Sequence, residues 1–168
     1  MIKGKKNINN GYALMETLFY IALFSILSIL IINSMIVMMG SFKETAIQAE
    51  LRQGADILKK MTQEIRSAHR IDEISTNALK IGTLDEDNNE RDVDFLLSGT
   101  DVRFLESDDF IANLNSQNLE VTNLSFTEIN TTNSVAIKIS VSVRSKRDKQ
   151  NRVVDFYDTV VLRGSYWY

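Results

Sequence analysis

Gly11-Tyr12-Ala13-Leu14-Met15-Glu16-Thr17-Leu18 leads into a stretch that carries no charge from Thr17 to Phe42, and the reading of that stretch decides the fold. As a helix it rises roughly 39 Å at about 1.5 Å per residue, enough to cross a hydrocarbon layer of about 30 Å with some tilt. A core helix of a soluble protein needs a polar face, and Phe19-Tyr20-Ile21-Ala22-Leu23-Phe24-Ser25-Ile26-Leu27 has none. The segment is expected to be transmembrane. The competing reading is a helix buried in an obligate assembly. Lys3, Lys5 and Lys6 lie on its N-terminal side, so the positive-inside rule keeps the leader cytoplasmic and sends everything after Phe42 outside. An ordinary secretory signal is cut beyond its apolar core at small residues; here the one obvious junction, Gly11-Tyr12, comes before the core. Cutting there leaves the helix on the protein.

Glu16 is the anomaly. An acid inside an apolar helix costs on the order of 2.5–3.5 kcal/mol at the bilayer centre and less near an end. Snorkelling or protonation near the membrane edge is the bland explanation. The other is a cation, and no Lys or Arg follows within the span. A cut after Gly11 would give Tyr12 a free α-amino group with a reference pKa of about 7.7–8.0, mostly protonated at neutral pH.

A short basic leader, Gly11, an aromatic Tyr12, Glu16 as the fifth residue after the junction, Thr17-Leu18 and an apolar helix together resemble the class III signal of the type IV prepilin and pseudopilin family. These are the subunits of type IV pili, type II secretion system pseudopili and competence pili. Tyr12 stands where Phe is commoner, and Ala13-Leu14-Met15 where Thr-Leu-Ile is. The resemblance implies cleavage after Gly11 by prepilin peptidase and N-methylation of Tyr12. It also implies a salt bridge during filament assembly from Glu16 to the terminal amine of a neighbouring subunit. Leu58-Lys59-Lys60-Met61-Thr62-Gln63-Glu64-Ile65-Arg66 and Thr159-Val160-Val161-Leu162-Arg163 are similar to segments of W-type minor pilins and J-type minor pseudopilins.

The helix is expected to continue beyond the membrane. Ile47, Leu51, Gly54, Leu58, Met61, Ile65 and Ala68 recur at steps of four and three, with Glu50, Arg52, Asp56, Lys59, Lys60, Glu64 and Arg66 on other faces. Packing on a following sheet explains one such stripe better than a coiled coil in so short a run. Asn33, Ser34 and Gly40 are the candidate positions for a kink, since the chain has no proline.

After Arg70 the period becomes two. Val135, Ile137, Ile139, Val141 and Val143 alternate, as do Val154, Phe156, Val160 and Leu162 across Asp158, which reads as an antiparallel hairpin. Val93–Leu97 and Val102–Leu105 flank the turn Ser98-Gly99-Thr100-Asp101, and 119–126 supplies another strand. The expected fold is α+β and pilin-like: a long N-terminal α-helix, half transmembrane and half amphipathic, packed on a small antiparallel β-sheet head. The segments are a cleaved cytoplasmic leader (1–11), a transmembrane and filament-core helix (12–42), an amphipathic continuation (43–70) and the head (71–168).

Of 19 basic and 22 acidic residues, three basic ones lie in the leader, so the part beyond Lys43 is more acidic than the net charge of −3 suggests. A mildly acidic head is no electrostatic trap for DNA, which is expected as a partner only in a competence system. The other expected partners are prepilin peptidase, other pilin or pseudopilin subunits through the N-terminal helix, and membrane lipid. Without cysteine there is no disulfide and no thiolate metal site. Asp85-Glu86-Asp87-Asn88-Asn89-Glu90-Arg91-Asp92 is rich in oxygen ligands, but Glu90 stands where an EF-hand needs Gly and Leu96 where it needs the bidentate Glu. Arg144–Arg152 reads as a basic hairpin tip, solvated by default, with lipid phosphate, an acidic neighbour or DNA as candidate contacts. Tyr166-Trp167-Tyr168 is either an interface anchor or a cover for the end of the sheet.

His69 is the sole histidine, and no nucleophile motif or glycine-rich phosphate loop is present. No catalytic residue, metal or cofactor is therefore expected, and the chain is read as a structural subunit rather than an enzyme. The alternatives are a signal-anchored extracellular binding or sensor domain and a membrane-tethered hydrolase.

Overall fold

The computed structural model describes residues 10–84, 89–130 and 134–162. One helix, α1 (Asn10–Ser67), precedes eight strands. The chain divides into two compact units, Met1–Thr45 and Ala46–Tyr168. Within the first, α1 is unbroken through Asn33, Ser34 and Gly40. Its large apolar side chains from Tyr12 to Phe42 are all exposed. The apolar window of the helix has a mean hydropathy of 2.5, and none of it is buried within the chain. The protein thus has one helix near its N-terminus long and apolar enough to cross a membrane.

In the second unit the helix is amphipathic and packs on antiparallel sheets. Ile47, Leu51, Gly54, Met61, Ile65 and Ala68 are buried as the spacing predicts, but Ile57 is buried where Leu58 was expected and Leu58 only partly. The 3.6-residue period allows either neighbour to fill that turn. Glu50 and Glu64, placed by the pattern on solvated faces, are also buried.

The expectation of a single sheet is corrected: the strands form two. β1 (Arg70–Ile74), β2 (Ala78–Leu84), β3 (Glu90–Ser98), β4 (Asp101–Glu106) and β5 (Asp109–Asn113) make a five-stranded antiparallel meander in chain order. β6 (Leu119–Asn130), β7 (Val135–Ser145) and β8 (Val153–Val161) make a three-stranded one. The division falls at the turn before β6. There the buried Asn115 accepts the Val102 N–H (2.9 Å) and donates to the carbonyl of Leu119 (2.8 Å) and the carboxylate of Asp101 (3.0 Å). β6 then bonds loops of the first sheet, Val121 N–H to Thr100 O and Phe126 N–H to Thr76 O, in place of a neighbouring strand. That satisfies edge groups which would otherwise invite aggregation.

The expected hairpins are both present. Ser98 pairs with Asp101 across a turn whose Gly99 has a φ of 66°, a left-handed conformation that a two-residue hairpin turn requires and glycine adopts without a Cβ penalty. β7 and β8 pair from Ala136↔Val161 to Arg144↔Val153. Asp158, the interruption in the β8 alternation, accepts a hydrogen bond from the Thr62 hydroxyl of α1 at 2.9 Å, so it serves as a polar tie between strand and helix.

The apolar faces of both sheets and of the helix join in one core. Each fully buried Leu, Ile or Phe in it contributes about 1.5–3 kcal/mol by leaving water. Helix and sheet approach closely at Gly54, where a Cβ would stand 2.4 Å from the Phe156 ring and 3.0 Å from Val143 Cγ2. Gly54→Ala gains about 1 kcal/mol of helix propensity but meets an overpacking cost of about 1–3 kcal/mol. The variant is expected to be less stable by up to about 2 kcal/mol, read as a lower denaturant midpoint for the micelle-held chain. A raised midpoint would show that the Phe156 ring yields freely.

Candidate assembly and anchoring site

The residues singled out by sequence at the N-terminus fall in the first two turns of α1, except Lys3, Lys5 and Lys6, which lie outside the described residues. The Gly11-Tyr12 junction is in the first helical turn. Tyr12 is 80% exposed. Glu16 follows it by four residues and therefore lies on the same face. Its one hydrogen bond among the described residues comes from the Tyr20 phenol, donated to Oε1 at 3.3 Å. A neutral phenol at that distance does not compensate a carboxylate in an apolar setting. Glu16 is left with capacity for a cation from elsewhere.

Most of the other polar side chains in the apolar segment are satisfied within the helix. Ser25 donates to Ile21 O and Ser28 to Phe24 O, each at 2.8 Å, and Thr17 donates to Leu14 O at 2.9 Å. Ser41 and Thr45 bond back to Val37 O and Ser41 O in the same way. Such bonds remove the cost of placing hydroxyls among lipid tails or apolar neighbours.

The charged segments of the second unit resolve differently. In the acidic loop, residues 85–88 lie outside the described residues. Of the remainder, Glu90 and Asp92 accept hydrogen bonds from Arg70 at 2.9 and 2.7 Å. The carboxylates of Glu90 and Asp72 push the Arg70 guanidinium well above its ordinary pKa. Arg91 turns inward, donating to Glu64 (2.7 Å), Glu106 (2.5 Å) and the buried Thr83 hydroxyl (3.0 Å). Among the described residues no group of three or more His, Asp or Glu side chains is placed to hold a metal. His69 donates its backbone N–H to Gly82 O, and its Nε2 is 3.8 Å from Glu90 Oε1.

The tip joining β7 to β8 is built rather than loose. Buried Asp148 accepts from Arg152 Nε (2.7 Å) and from the backbone N–H groups of Gln150 (3.0 Å) and Arg152 (3.1 Å). The Arg152 guanidinium, helped by those N–H groups, holds the Asp148 carboxyl down to about 2. The Ser145 hydroxyl donates to buried Glu50 on α1 and accepts the Arg147 N–H. Arg147 Nε lies 3.3 Å from the other Glu50 oxygen.

A hollow of about 260 Å³ on the five-stranded sheet gathers Glu73, Lys80, Asp94 and Asp108. Burial raises the Asp94 pKa against the pull of Lys80, and the hydrogen bond to Asp108 raises that of Lys80. No sequence signal marks this group, because its members come from β1, β2, β3 and the β4–β5 turn. Tyr166-Trp167-Tyr168 lies outside the described residues.

No protein-family model, curated protein sequence or solved structure matches the chain.

Proposed function

We propose that the chain is a minor pilin or pseudopilin. In this reading it waits as a single-pass precursor in the cytoplasmic membrane, leader inside and sheets outside. Prepilin peptidase cuts after Gly11 and methylates Tyr12, and the helix is then drawn into a type IV pilus, a type II secretion pseudopilus or a competence filament. The observation that carries the reading is Glu16: an acid one turn beyond the Gly11-Tyr12 junction, on an exposed apolar helix, with only a phenol as hydrogen-bond partner among the described residues. Cleavage would supply the missing cation on each neighbouring subunit. The exposed uncharged surface from Thr17 to Phe42 supports the same conclusion, since outside lipid it has no water-compatible face and must be covered by other helices. An amphipathic second half of α1, packed on antiparallel sheets, suits a subunit that displays its sheeted part outward. In this reading the protein is structural and needs no cofactor.

Intact mass with N-terminal sequencing of membrane-extracted protein tests this. The expected mature start is methylated Tyr12, and Gly11→Ala or a bulkier change should leave the leader attached, because the peptidase must fit the backbone at the junction. A retained Met1 in the wild-type chain would favour a signal-anchored binding or sensor domain. A start beyond Phe42 would favour a secreted binder or hydrolase.

A further inference from the structure

The β7–β8 tip carries five cations, Arg144, Lys146, Arg147, Lys149 and Arg152, and the structure sorts them. Arg144 pairs with Glu120 (2.5 Å), Arg147 with Glu50 (3.3 Å) and Arg152 with Asp148 (2.7 Å). Lys146 and Lys149 are exposed and have no ion pair among the described residues. The three arginines are thus tied to acids, Asp148 being buried, and the two lysines are the cations the tip leaves without an ion pair among the described residues.

Its place along the helix is equally defined. Within the Ala46–Tyr168 unit, Asp158 is tied to Thr62, Val143 and Phe156 pack at Gly54, and Ser145 reaches Glu50. β7 therefore runs toward lower helix numbers and the tip lies at the Glu50 end. That is the end at which the chain enters this unit, with Ala46 four residues after the last residue of the apolar run, Phe42.

We propose that Lys146 and Lys149 form a docking surface for anionic lipid headgroups of the membrane that the apolar helix spans. The inference rests on the membrane-spanning part of the reading above and not on filament assembly. The covalent tether to the apolar segment raises the effective concentration of headgroups for the tip, so two weak contacts suffice. Near an anionic surface each lysine is worth about a fivefold change in a contact equilibrium, and the pair on the order of twentyfold. Duplex DNA fits less well. Duplex affinity grows with the number of phosphates a protein neutralises, whereas this tip offers two lysines free of ion pairs among the described residues, on a protein of net charge −3.

The chain has no cysteine, so Gln150→Cys, at an exposed tip position, gives a unique thiol for a fluorophore. The labelled full-length protein is loaded into nanodiscs of phosphatidylcholine alone or of phosphatidylcholine with phosphatidylglycerol, both containing a headgroup quencher. Quenching is expected to be stronger in the anionic discs and to fall to the neutral-disc level at high salt and in K146Q/K149Q, with an unchanged unfolding midpoint. Equal quenching in the two discs, or quenching that survives K146Q/K149Q, overturns the proposal. So does lysine-dependent retardation of a short DNA duplex by the detergent-held protein without any disc difference, which would assign the tip to nucleic acid. Failure to enter discs at all would remove the membrane premise. A leader retained at Met1, by contrast, would defeat the filament reading and leave this result standing.

Discussion

Arg91→Met is expected to lower the stability of the sheeted unit by about 2–3 kcal/mol, somewhat less than the 3–5 typical of breaking a fully buried ion pair. Its partner Glu64 has a side chain only 8% exposed, whereas Arg91 is 28% exposed and in contact with water. The methionine keeps much of the stem's volume but leaves Glu64 with Lys60 alone, at 2.6 Å from a lysine that is itself 42% exposed. It also strips the Thr83 hydroxyl and Glu106 of their donor. The charge left behind, not the lost attraction, dominates the cost. Arg91→Met combined with Glu64→Leu should therefore recover most of the loss, because the buried carboxylate is gone along with its cation. Denaturant midpoints of the two variants decide this. Equal losses in single and double variants would show that Arg91 acts through Thr83 and Glu106 instead.

Arg91 also shows where sequence reading stops. In the sequence it belongs to an acid-rich run and reads as part of a solvated loop. In the structure it is one of two cations, with Lys60, paired with the buried Glu64. Nothing local marks the pair, since the partners are 27 positions apart and meet only in the folded chain. The strongly periodic parts were legible: the apolar run, the Met61–Ile65–Ala68 side of the helix, β3–β4 with its glycine turn, and the long β7–β8 alternation. β2 was not, because Gly82 and the buried Thr83 dilute its apolar alternation. β5 was missed because Ser107 and Asp108 make its turn at φ of 51° and 69° without a glycine to announce it. All five of its residues are exposed, so it has no buried face to read. The two-sheet division rests on Asn115, whose spacing signals nothing until its amide is seen bridging Val102 and Leu119. At the N-terminus the sequence exposed more than the fold does. The order Gly11, Tyr12, Glu16 is linear information, and the structure adds that the acid is exposed and, among the described residues, accepts its hydrogen bond from Tyr20.

Glu16→Ala is expected to leave membrane insertion and leader removal intact while reducing incorporation into filaments by roughly 10- to 100-fold, the equivalent of about 1.5–3 kcal/mol for a charged hydrogen bond. Insertion should if anything improve, because an acid that costs up to about 3 kcal/mol in an apolar helix is removed. These opposite signs separate an assembly role from a merely tolerated acid. A carboxylate that only snorkels would, on deletion, help or leave unchanged every step. Two further variants identify what the partner sees. Tyr20→Phe removes the phenol that now donates to Glu16 and should not weaken incorporation, since a bond of 3.3 Å to a neutral group is readily exchanged for one to an ammonium. Glu16→Gln keeps the size and an acceptor oxygen but not the charge, so incorporation should fall nearly as far as with alanine. Comparing the processed protein in membrane and sheared-filament fractions measures all three. Wild-type incorporation of Glu16→Ala would remove the proposed role, and wild-type incorporation of Glu16→Gln alone would replace the ion pair with a neutral hydrogen bond between helices.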